Sequence, residues 1–485
     1  MLQFMRARLL TPMRWLLVFS LAIWSTIGLM LCASVTAQSF TTLHSFSSFS
    51  GSTNSDGANP FAGLLSSGNI LYGTSSGGGG SGNGTVFALR NDGNGLATLH
   101  DFTGLNEGAS PRAGLILSGD TLYGTTTLGG RSNFGSVFAL RIDGTAFATL
   151  HHFTGLSDEG FPSAALVLSG DTLYGTTVGG GGSGSGTVFA VSTNGANFTN
   201  LYAFTPTTVS SPFSNNDGAW PLGALTQSGN TLYGTTSSGG VPGNGTVFAI
   251  NKDGTGFSIL HTFTTPSSYQ NTNSDGAIPR ASLVLSGDTL YGTTAFGGFF
   301  GGGTVFALRT DGTGFTSLHH FTGPSDGSEP RTALVLSGNT LYGVANSGGT
   351  TGFGTVFALS TNGMGFTTIY NFPRPDGEPH QFYSDLSFTG GTLYGTTLMH
   401  GSGGNGTVFS LSFPPQLTIT SSEGTTVVSW RALYAGFDYT GFTLQSTTNL
   451  GSPVWENTPP PVVAGGWIAV TNPISSAEHF FRLSQ

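Results

Sequence analysis

Residues 120–141 read DTLYGTTTLGGRSNFGSVFALR, and the pairing of Leu-Tyr-Gly with a later Ser-Val-Phe or Thr-Val-Phe occurs seven times along the chain. The tyrosines of the seven copies are Tyr72, Tyr123, Tyr174, Tyr233, Tyr291, Tyr342 and Tyr394, spaced 51 to 59 residues apart. Self-similarity at a fixed period of this length marks a solenoid or a propeller, in which each repeat is one supersecondary unit that buries its apolar face against its neighbours.

Within the second copy the pattern predicts four strands. Residues 113–117 form a short apolar strand, Ser118-Gly119-Asp120 a tight turn, and Thr121–Thr126 the next strand. A glycine-rich loop over 127–135 leads to SVFALR at Ser136–Arg141, and Asp143-Gly144 then turns the chain into FATLHHF at 147–153. Asp-Gly and Asn-Gly suit such hairpins because the turn needs positive φ, which Gly adopts freely and Asn or Asp tolerates. Four antiparallel strands in a unit of this size are a propeller blade.

The ends of the array decide between an open and a closed arrangement. FTTLHSF at 40–46 matches the fourth strand of the other repeats, and that strand is missing after the last Thr-Val-Phe at 407–409. Accordingly there are seven Leu-Tyr-Gly strands but six Asp/Asn-Gly hairpins, beginning at Asp92, Asp143, Asn194, Asp253, Asp311 and Asn362. A ring needs such a complementary fragment, whereas a linear solenoid needs caps. The expected fold is therefore all-β: a seven-bladed β-propeller over 38–413, closed by an N-terminal strand. Beyond Pro414-Pro415 the texture changes. Residues 414–485 hold alternating strand patterns and three of the six tryptophans (Trp430, Trp455, Trp467), which predicts a small C-terminal β-sandwich similar to fibronectin type III or immunoglobulin modules. It could dock or sort the protein, or serve as a cap or spacer.

The unit DGxxPxAxLxLSGDTLYGTTxxGGxxxxGTVFALxxDGxxFxxLHxF resembles the GloVer tandem repeats of secreted bacterial proteins over residues 40–412. It also resembles kelch blades loosely, in its length and in paired glycines such as Gly129-Gly130 and Gly179-Gly180, but it lacks the kelch tryptophan. The GloVer resemblance implies secretion and a repeat fold, and supplies no catalytic residues.

Residues 1–37 read as a signal peptide. Arg6, Arg8 and Arg14 precede an apolar run from Trp15 to Cys32, and the small residues ending at Val35-Thr36-Ala37 predict cleavage after Ala37. An uncleaved anchor is the alternative reading; bulky Leu31 before Cys32 argues against lipidation. The expected location is secreted, or the cell surface or periplasm of a bacterium, with no membrane span after cleavage. Without these 37 residues, which carry three arginines and no acid, 11 basic and 23 acidic residues remain, a net charge of −12. A chain whose only lysine is Lys252 is not built to neutralise phosphates, so no nucleic acid is expected as partner. With its one cysteine removed, no disulfide can staple it, and a monomer held by packing and strand pairing is expected.

Candidate site residues divide into those present in every repeat and those that vary. An acid-glycine pair precedes a loop proline in each unit, with acids Asp56, Glu107, Glu159, Asp217, Asp275, Asp326 and Asp376. Recurrence in every copy favours a turn-capping role over a ring of ligands. The Asn-Ser-Asp-Gly segments at 54–57 and 273–276 raise calcium as a cofactor, though they lack the oxygen density of an EF-hand loop. Histidines His44, His100, His151, His261 and His319 share one fourth-strand position with Tyr202 and Tyr370, which favours blade hydrogen bonding over metal binding. Strings fitting GxGxxG lie between strands with no following helix, so they do not bind dinucleotides.

Varying residues are the better functional candidates, because the fold does not demand them. Arg112, Arg280 and Arg331 follow the loop proline in three units, where others carry Phe61, Ser163, Leu222 and His380. Three arginines entering one channel can hold a carboxylate, or can pair with the loop acids beside them. Trp220, Tyr269, Phe296, Phe299, Phe300, Phe353 and Tyr383 sit in or beside the long loops, where aromatics suit sugar stacking or a protein partner. His380 and His400, in the last repeat, complete the set. Three functions are compatible with these residues: a non-catalytic protein binding a polysaccharide, a cell-surface glycan or a protein; a polysaccharide hydrolase or lyase; and a structural or adhesion protein. The acids look equivalent, whereas general acid and base work needs two in distinct environments, which disfavours the enzyme.

Overall fold

The computed structural model describes residues 39–179, 182–210, 213–267, 271–373 and 384–413, and, in the tail, 417–422, 425–431, 433–434, 437–438, 441, 443–448, 454–473 and 480–484. Strands are the regular elements among them, and there is no helix among the described residues. Contacts divide the chain into two units, one of which is Ser39–Ser412.

That unit is a propeller-like array of seven four-stranded antiparallel sheets. Six are built from consecutive strands, as in Ile116–Ser118, Thr121–Thr126, Ser136–Arg141 and Ala148–His152. The seventh joins Ser387–Thr389, Thr392–Thr397 and Thr407–Ser412 to the N-terminal strand Ser39–Ser45. That strand pairs from Ser39↔Ser412 to Ser45↔Thr407, with a bulge between Thr42 and His44. Other sheets carry the bulge at the same place, where Phe138 faces Thr149 but Val137 faces His151. The first strand is therefore a fourth strand in every respect of register.

The repeat's sequence reflects what the second strand must accommodate. In each Leu-Tyr-Gly the glycine faces the phenylalanine of Thr/Ser-Val-Phe, as Gly124 faces Phe138 and Gly175 faces Phe189. A Cβ on these glycines would lie 2.4 to 2.6 Å from the phenylalanine Cζ in all seven sheets. The ring occupies the glycine's missing side-chain space and is fully or almost fully buried in every copy. Second and third strands are buried on both faces because each sheet stacks between two others, so they read as apolar and small rather than alternating.

Neighbouring sheets meet through one recurring cluster. Tyr123, Val137 and Phe153 of the second sheet pack on Leu166, Leu173, Phe189 and Val191 of the third. Likewise Tyr394, Val408 and Phe46 of the seventh pack on Leu64, Leu71, Phe87 and Leu89 of the first. Polar links repeat the pattern: Thr74 Oγ1 donates to the Ala113 carbonyl at 3.0 Å, and Thr396 Oγ1 donates to the Pro60 carbonyl at 3.1 Å. Phe40 stacks on Tyr370 of the sixth sheet at 5.1 Å, as Phe147 stacks on His100. The seventh sheet thus contacts both the sixth and the first.

The tail holds a four-stranded sheet of Thr418–Ser422, Thr425–Arg431, Trp467–Pro473 and Val462–Ala464, and a three-stranded sheet of Glu456–Asn457, Thr443–Thr447 and Phe480–Ser484. Val428, Trp430, Leu444, Ile468 and Val470 are buried there.

Adding a methyl at Gly175 drives Cβ to 2.5 Å from the Phe189 ring, so Gly175→Ala is expected to destabilise by about 1–3 kcal/mol through overpacking. A urea midpoint equal to the parent's would contradict this. A chain lacking residues 39–47 loses the outer strand of the seventh sheet and should melt well below the parent; melting at the same temperature would show that the strand adds nothing.

Candidate functional site

The connections between fourth and first strands share one face with the loops between second and third strands, because the two pair through backbone bridges: Ala58 with Gly77, Ala109 with Leu128, Ala219 with Ser238. The same connection also reaches back to the preceding sheet, Ser110 N–H donating to Asn83 O at 2.8 Å and Trp220 N–H to Ser185 O at 2.8 Å. A proline locks this junction in the six connections described around it. The Cδ of Pro111 lies against Gly84 of the sheet before, as Pro221 lies against Gly186 and Pro60 against Gly406, leaving no room for a Cβ on those glycines.

The residue before each of these prolines is left-handed: Asn59, Ser110, Phe161, Trp220, Ile278 and Glu329 all have φ of 53 to 60°. This is an unusual conformation for a side chain as bulky as Trp or as branched as Ile. It is held because the N–H donates to the sheet before and the carbonyl accepts within its own, for Ile278 to Asn244 O at 2.9 Å and from Ala295 N at 3.2 Å. Strain imposed by two hydrogen bonds is tolerated whatever side chain is carried. Trp220 belongs to this ring; its Nε1 donates to Gly184 O at 3.1 Å and its rings lie 5.4 Å from Phe213.

The recurring acids lie under the same loops and cap them. Asp275 accepts from His261 Nε2 at 3.1 Å, Thr264 N–H at 3.0 Å and Thr264 Oγ1; Asp326 accepts from His319, Thr322 and Gly323. Asp56 is met by His44 and Ser47, and Asp217 by Tyr202 and Thr205. The fourth-strand bulge aims each histidine at its acid. The Asn-Ser-Asp-Gly asparagines are hubs: Asn54 Oδ1 accepts from Gly57 and Gly79, and Nδ2 donates to Ser47 O and Gly57 O. Oxygens engaged this way by protein donors support a turn-fixing role rather than the calcium reading.

In the third repeat the capping acid is Asp158, not Glu159. Asp158 accepts from His151 at 3.2 Å and from Thr154. Glu159 stands where other repeats have glycine, with φ of 51°, and its buried carboxylate accepts from Gly186 N–H at 2.7 Å and Ser183 Oγ at 2.5 Å. The extra acid shifts the acid-glycine pair by one, so spacing to glycine selects the wrong residue.

Inside the loops, a cavity of about 360 Å³ is lined by the segments that lead into the first strands of all seven sheets. Arg112, Arg280 and Arg331 all line it, with Phe61, Ser163, Leu222 and Asp385 among their neighbours. Arg112 is exposed and lies 5.6 Å over the Phe61 ring. Arg331 pairs with Glu329 at 2.6 Å and lies 5.7 Å from the Phe296 ring, so loop-acid pairing holds for this arginine. Asp385 is the residue that sequence reasoning missed. It occupies the position of Gly63, Gly114, Ala165, Ala224, Ser282 and Ala333, and is legible by counting back from Leu386 rather than forward from the proline. Its carboxylate accepts from Ala333 N–H at 2.7 Å, and burial pushes its pKa up.

Trp220, Phe299, Phe300 and His400 do not line this cavity. Phe299 and Phe300 are 61% and 62% exposed in a second-to-third loop, Phe299 stacking on His320 at 4.0 Å. His400 has φ of 89° at the place other repeats fill with the first of two paired glycines. His380, Tyr269, Tyr383 and Asp376 lie outside the described residues. Among the described residues, no group of three or more His, Cys, Asp or Glu is placed to hold a metal ion.

A family model, described as the Gloeobacter/Verrucomicrobia repeat, matches residues 28–215 and 264–451, most of the chain. The chain belongs to that repeat family. No curated protein matches this Gloeobacter/Verrucomicrobia repeat chain. Solved structures that it is similar to include an oligogalacturonate lyase in complex with manganese (12% identity, 79% of this chain and 94% of that one, TM-score 0.48). Others are TolB from Acinetobacter baumannii (13%, 58% and 58%, 0.34) and a nidogen/laminin complex (14%, 63% and 93%, 0.38). At these values none transfers an activity or a ligand to the Gloeobacter/Verrucomicrobia repeat protein.

Titration of the capping pairs sets a pH dependence. Burial alone would raise the Asp275 and Asp326 carboxyls, but hydrogen bonds from His261 and Thr264, and from His319 and Thr322, outweigh it and hold both below 3.8. Burial holds His100 and His151 below 6.5 against the pull of Glu107 and Asp158. In both cases the unfolded chain binds protons more readily than the folded one, so stability is full above the histidine range. It should fall as pH drops below 6.5, and fall again below 3.8. Melting temperatures at about pH 8, 5 and 3 should decrease in that order; a flat or rising series would remove the capping pairs as a source of stability.

Proposed function

We propose that this chain is a secreted, non-catalytic binding protein that engages an acidic polysaccharide or cell-surface glycan through the long-loop face of a closed seven-bladed propeller. The tail, on this reading, is a small fibronectin-like sandwich that docks or sorts the protein. One observation carries the proposal: three arginines that the repeat does not require line a single cavity. Four other repeats tolerate Phe, Ser, Leu or a different residue at the corresponding place, so architecture does not explain the guanidinium groups. In a chain this acidic, a local surplus of arginine is a specific feature, and planar guanidinium forks match a carboxylate.

Exposed apolar side chains support the same face. Phe49, Leu105, Leu156, Val209, Phe213, Val241, Phe299, Phe300 and Met399 all belong to the long loops, whereas Ile142 and Met364 are their counterparts at the tight hairpins. Aromatic and aliphatic surface around a charged centre suits a ligand with apolar ring faces and acidic groups. Against catalysis stands the scarcity of distinct acids: Asp385 alone lines the cavity among the described residues, while Glu329 is bound to Arg331.

Incubating the protein with neutral and acidic polysaccharides tests this directly, by retention on the polymer and release of new reducing ends. Retention on acidic polymers without release is expected, and the combined Arg112→Ala, Arg280→Ala, Arg331→Ala variant should lose it while keeping its melting profile. Release of reducing ends would make the protein an enzyme instead, and unchanged retention by the variant would remove the arginines from the site.

A further inference from the structure

Asn-Gly pairs begin at Asn83, Asn94, Asn194, Asn244, Asn362 and Asn405. Such a pair carries both partners of an intramolecular reaction. The glycine nitrogen is the nucleophile, the asparagine carboxamide carbon is its target, and no glycine side chain shields the attack. Adjacency in the chain supplies the proximity that makes the reaction fast. An N–H that is already hydrogen-bonded must first give up its acceptor, which slows the step.

Five of these pairs are engaged in that way. Gly84 N–H donates to Gly78 O and Gly245 N–H to Gly239 O, both at 3.0 Å, and Gly406 N–H donates to His400 O at 2.9 Å, all in the long loops. In the tight hairpins of the third and sixth sheets, Gly195 N–H donates to Ser192 O and Gly363 N–H to Ser360 O, both at 2.8 Å. Asn94-Gly95 is placed differently. In the hairpin of the first sheet Asp92-Gly93 takes the place of Asn194-Gly195, Gly93 N–H donating to Arg90 O at 2.9 Å, and Asn94-Gly95 follows it. Asn94 O accepts from Arg90 N–H at 3.1 Å, but the Gly95 N–H has no acceptor among the described residues.

The turn itself leaves that N–H open. Ala146, Asn197, Gly256, Gly314 and Gly365 hold the same left-handed place in the other hairpins, with φ of 54 to 68°, and their N–H groups also have no acceptor among the described residues. Before them stand Thr145, Ala196, Thr255, Thr313 and Met364, which offer no carboxamide. The first hairpin alone joins the open N–H to an asparagine. Exposure does not separate the sites, since Asn94, Asn194 and Asn362 are all exposed. The carboxamides do differ: Asn194 Oδ1 accepts from Ala196 N–H and Asn362 Oδ1 from Met364 N–H, both at 3.0 Å, whereas Asn94 lies against the Asp92 carboxylate.

We propose that Asn94 is a site of self-modification. The Gly95 nitrogen loses its proton to solvent base and attacks the Asn94 Cγ, and the adduct expels the amide nitrogen as ammonia to leave a succinimide ring. Water then opens the ring, giving aspartate when the new bond from nitrogen to Cγ breaks and isoaspartate when the original peptide bond breaks. A water is consumed and an ammonia released, with no oxidation or reduction. The site adjoins the junction of the first and seventh sheets. A Cβ on Gly93 would lie 3.0 Å from the Leu43 carbonyl, and Leu43 and Leu96 pack on the cluster that joins these two sheets. Isoaspartate lengthens the main chain of the turn at this contact, so conversion loosens the hold on the N-terminal strand.

The test stores the full chain in warm, mildly alkaline buffer, folded and in urea, and follows each Asn-Gly site by fragment mass spectrometry. In the folded protein Asn94 should convert at least about fivefold faster than Asn194 or Asn362, the factor that one net hydrogen bond contributes to a rate. In urea the difference should vanish. Gly95→Ala, a residue that the left-handed Ala146 shows the hairpin accepts, should slow conversion severalfold. Equal rates at the three exposed sites in the folded protein, or an Asn94 that stays intact there while the unfolded chain reacts, overturns the proposal. So does a preference for Asn94 that persists in urea, since local sequence alone would then make the choice. Aged protein should melt below fresh protein, and Asn94→Thr should abolish that difference; equal melting of aged and fresh parent would remove the sheet junction as the point affected.

Discussion

Everything in the repeat unit is arranged around the insertion of one phenylalanine ring into the space of one missing side chain. The glycine of Leu-Tyr-Gly faces that ring across the second and third strands in all seven sheets, and a Cβ there has nowhere to go. With the ring seated, the third strand can stack on the next sheet's leucines, and the hydroxyl of the first Thr in Gly-Thr-Thr can cross to its neighbour's backbone. The need for this fit explains why Tyr-Gly and Val-Phe keep one separation in all seven copies, although the loops between them vary in composition. Glycine's usual penalty within a strand is offset by the aromatic contact it permits.

Above this fixed frame the chain places two rings of varied side chains on either side of an unvarying proline. One ring, at the left-handed position, carries Asn59, Ser110, Phe161, Trp220, Ile278 and Glu329. The other carries Phe61, Arg112, Ser163, Leu222, Arg280 and Arg331, facing the cavity. Because hydrogen bonds and proline packing hold the backbone, side chains here are exchanged without cost to the sheets beneath. Specificity and stability are thereby assigned to different residues, as scaffolds that carry function on loops generally require.

Much of this was legible in the sequence for a physical reason: strand pairing and inter-sheet packing recur, and recurrence is visible. The strands of the second repeat, the four-strand sheets and the joining of 40–46 to the last sheet all emerge from matching one unit to the next. What escaped is what does not recur. Asp385 stands in a repeat whose loop departs from the others, so reading forward from Pro379 loses its register. Asp158 and Glu159 exchange places relative to the glycine because a hydrogen-bond geometry, not a spacing, defines the cap. Nor does any residue type announce the left-handed ring, since Ile and Trp disfavour that conformation and adopt it only under tertiary hydrogen bonds.

The pairing of Ser39–Ser45 with Thr407–Ser412 has a temporal side. The first strand of the array to leave the ribosome finds its partner only after more than three hundred further residues have been made. Until then it can pair with nothing of its own sheet, while each later sheet assembles from neighbours in the chain. Folding of the array must therefore end with a contact of very high sequence separation, the kind that slows folding most. The array is thus unfinished until Thr407–Ser412 has been made, and its last sheet acts as a latch that shuts only when that strand arrives.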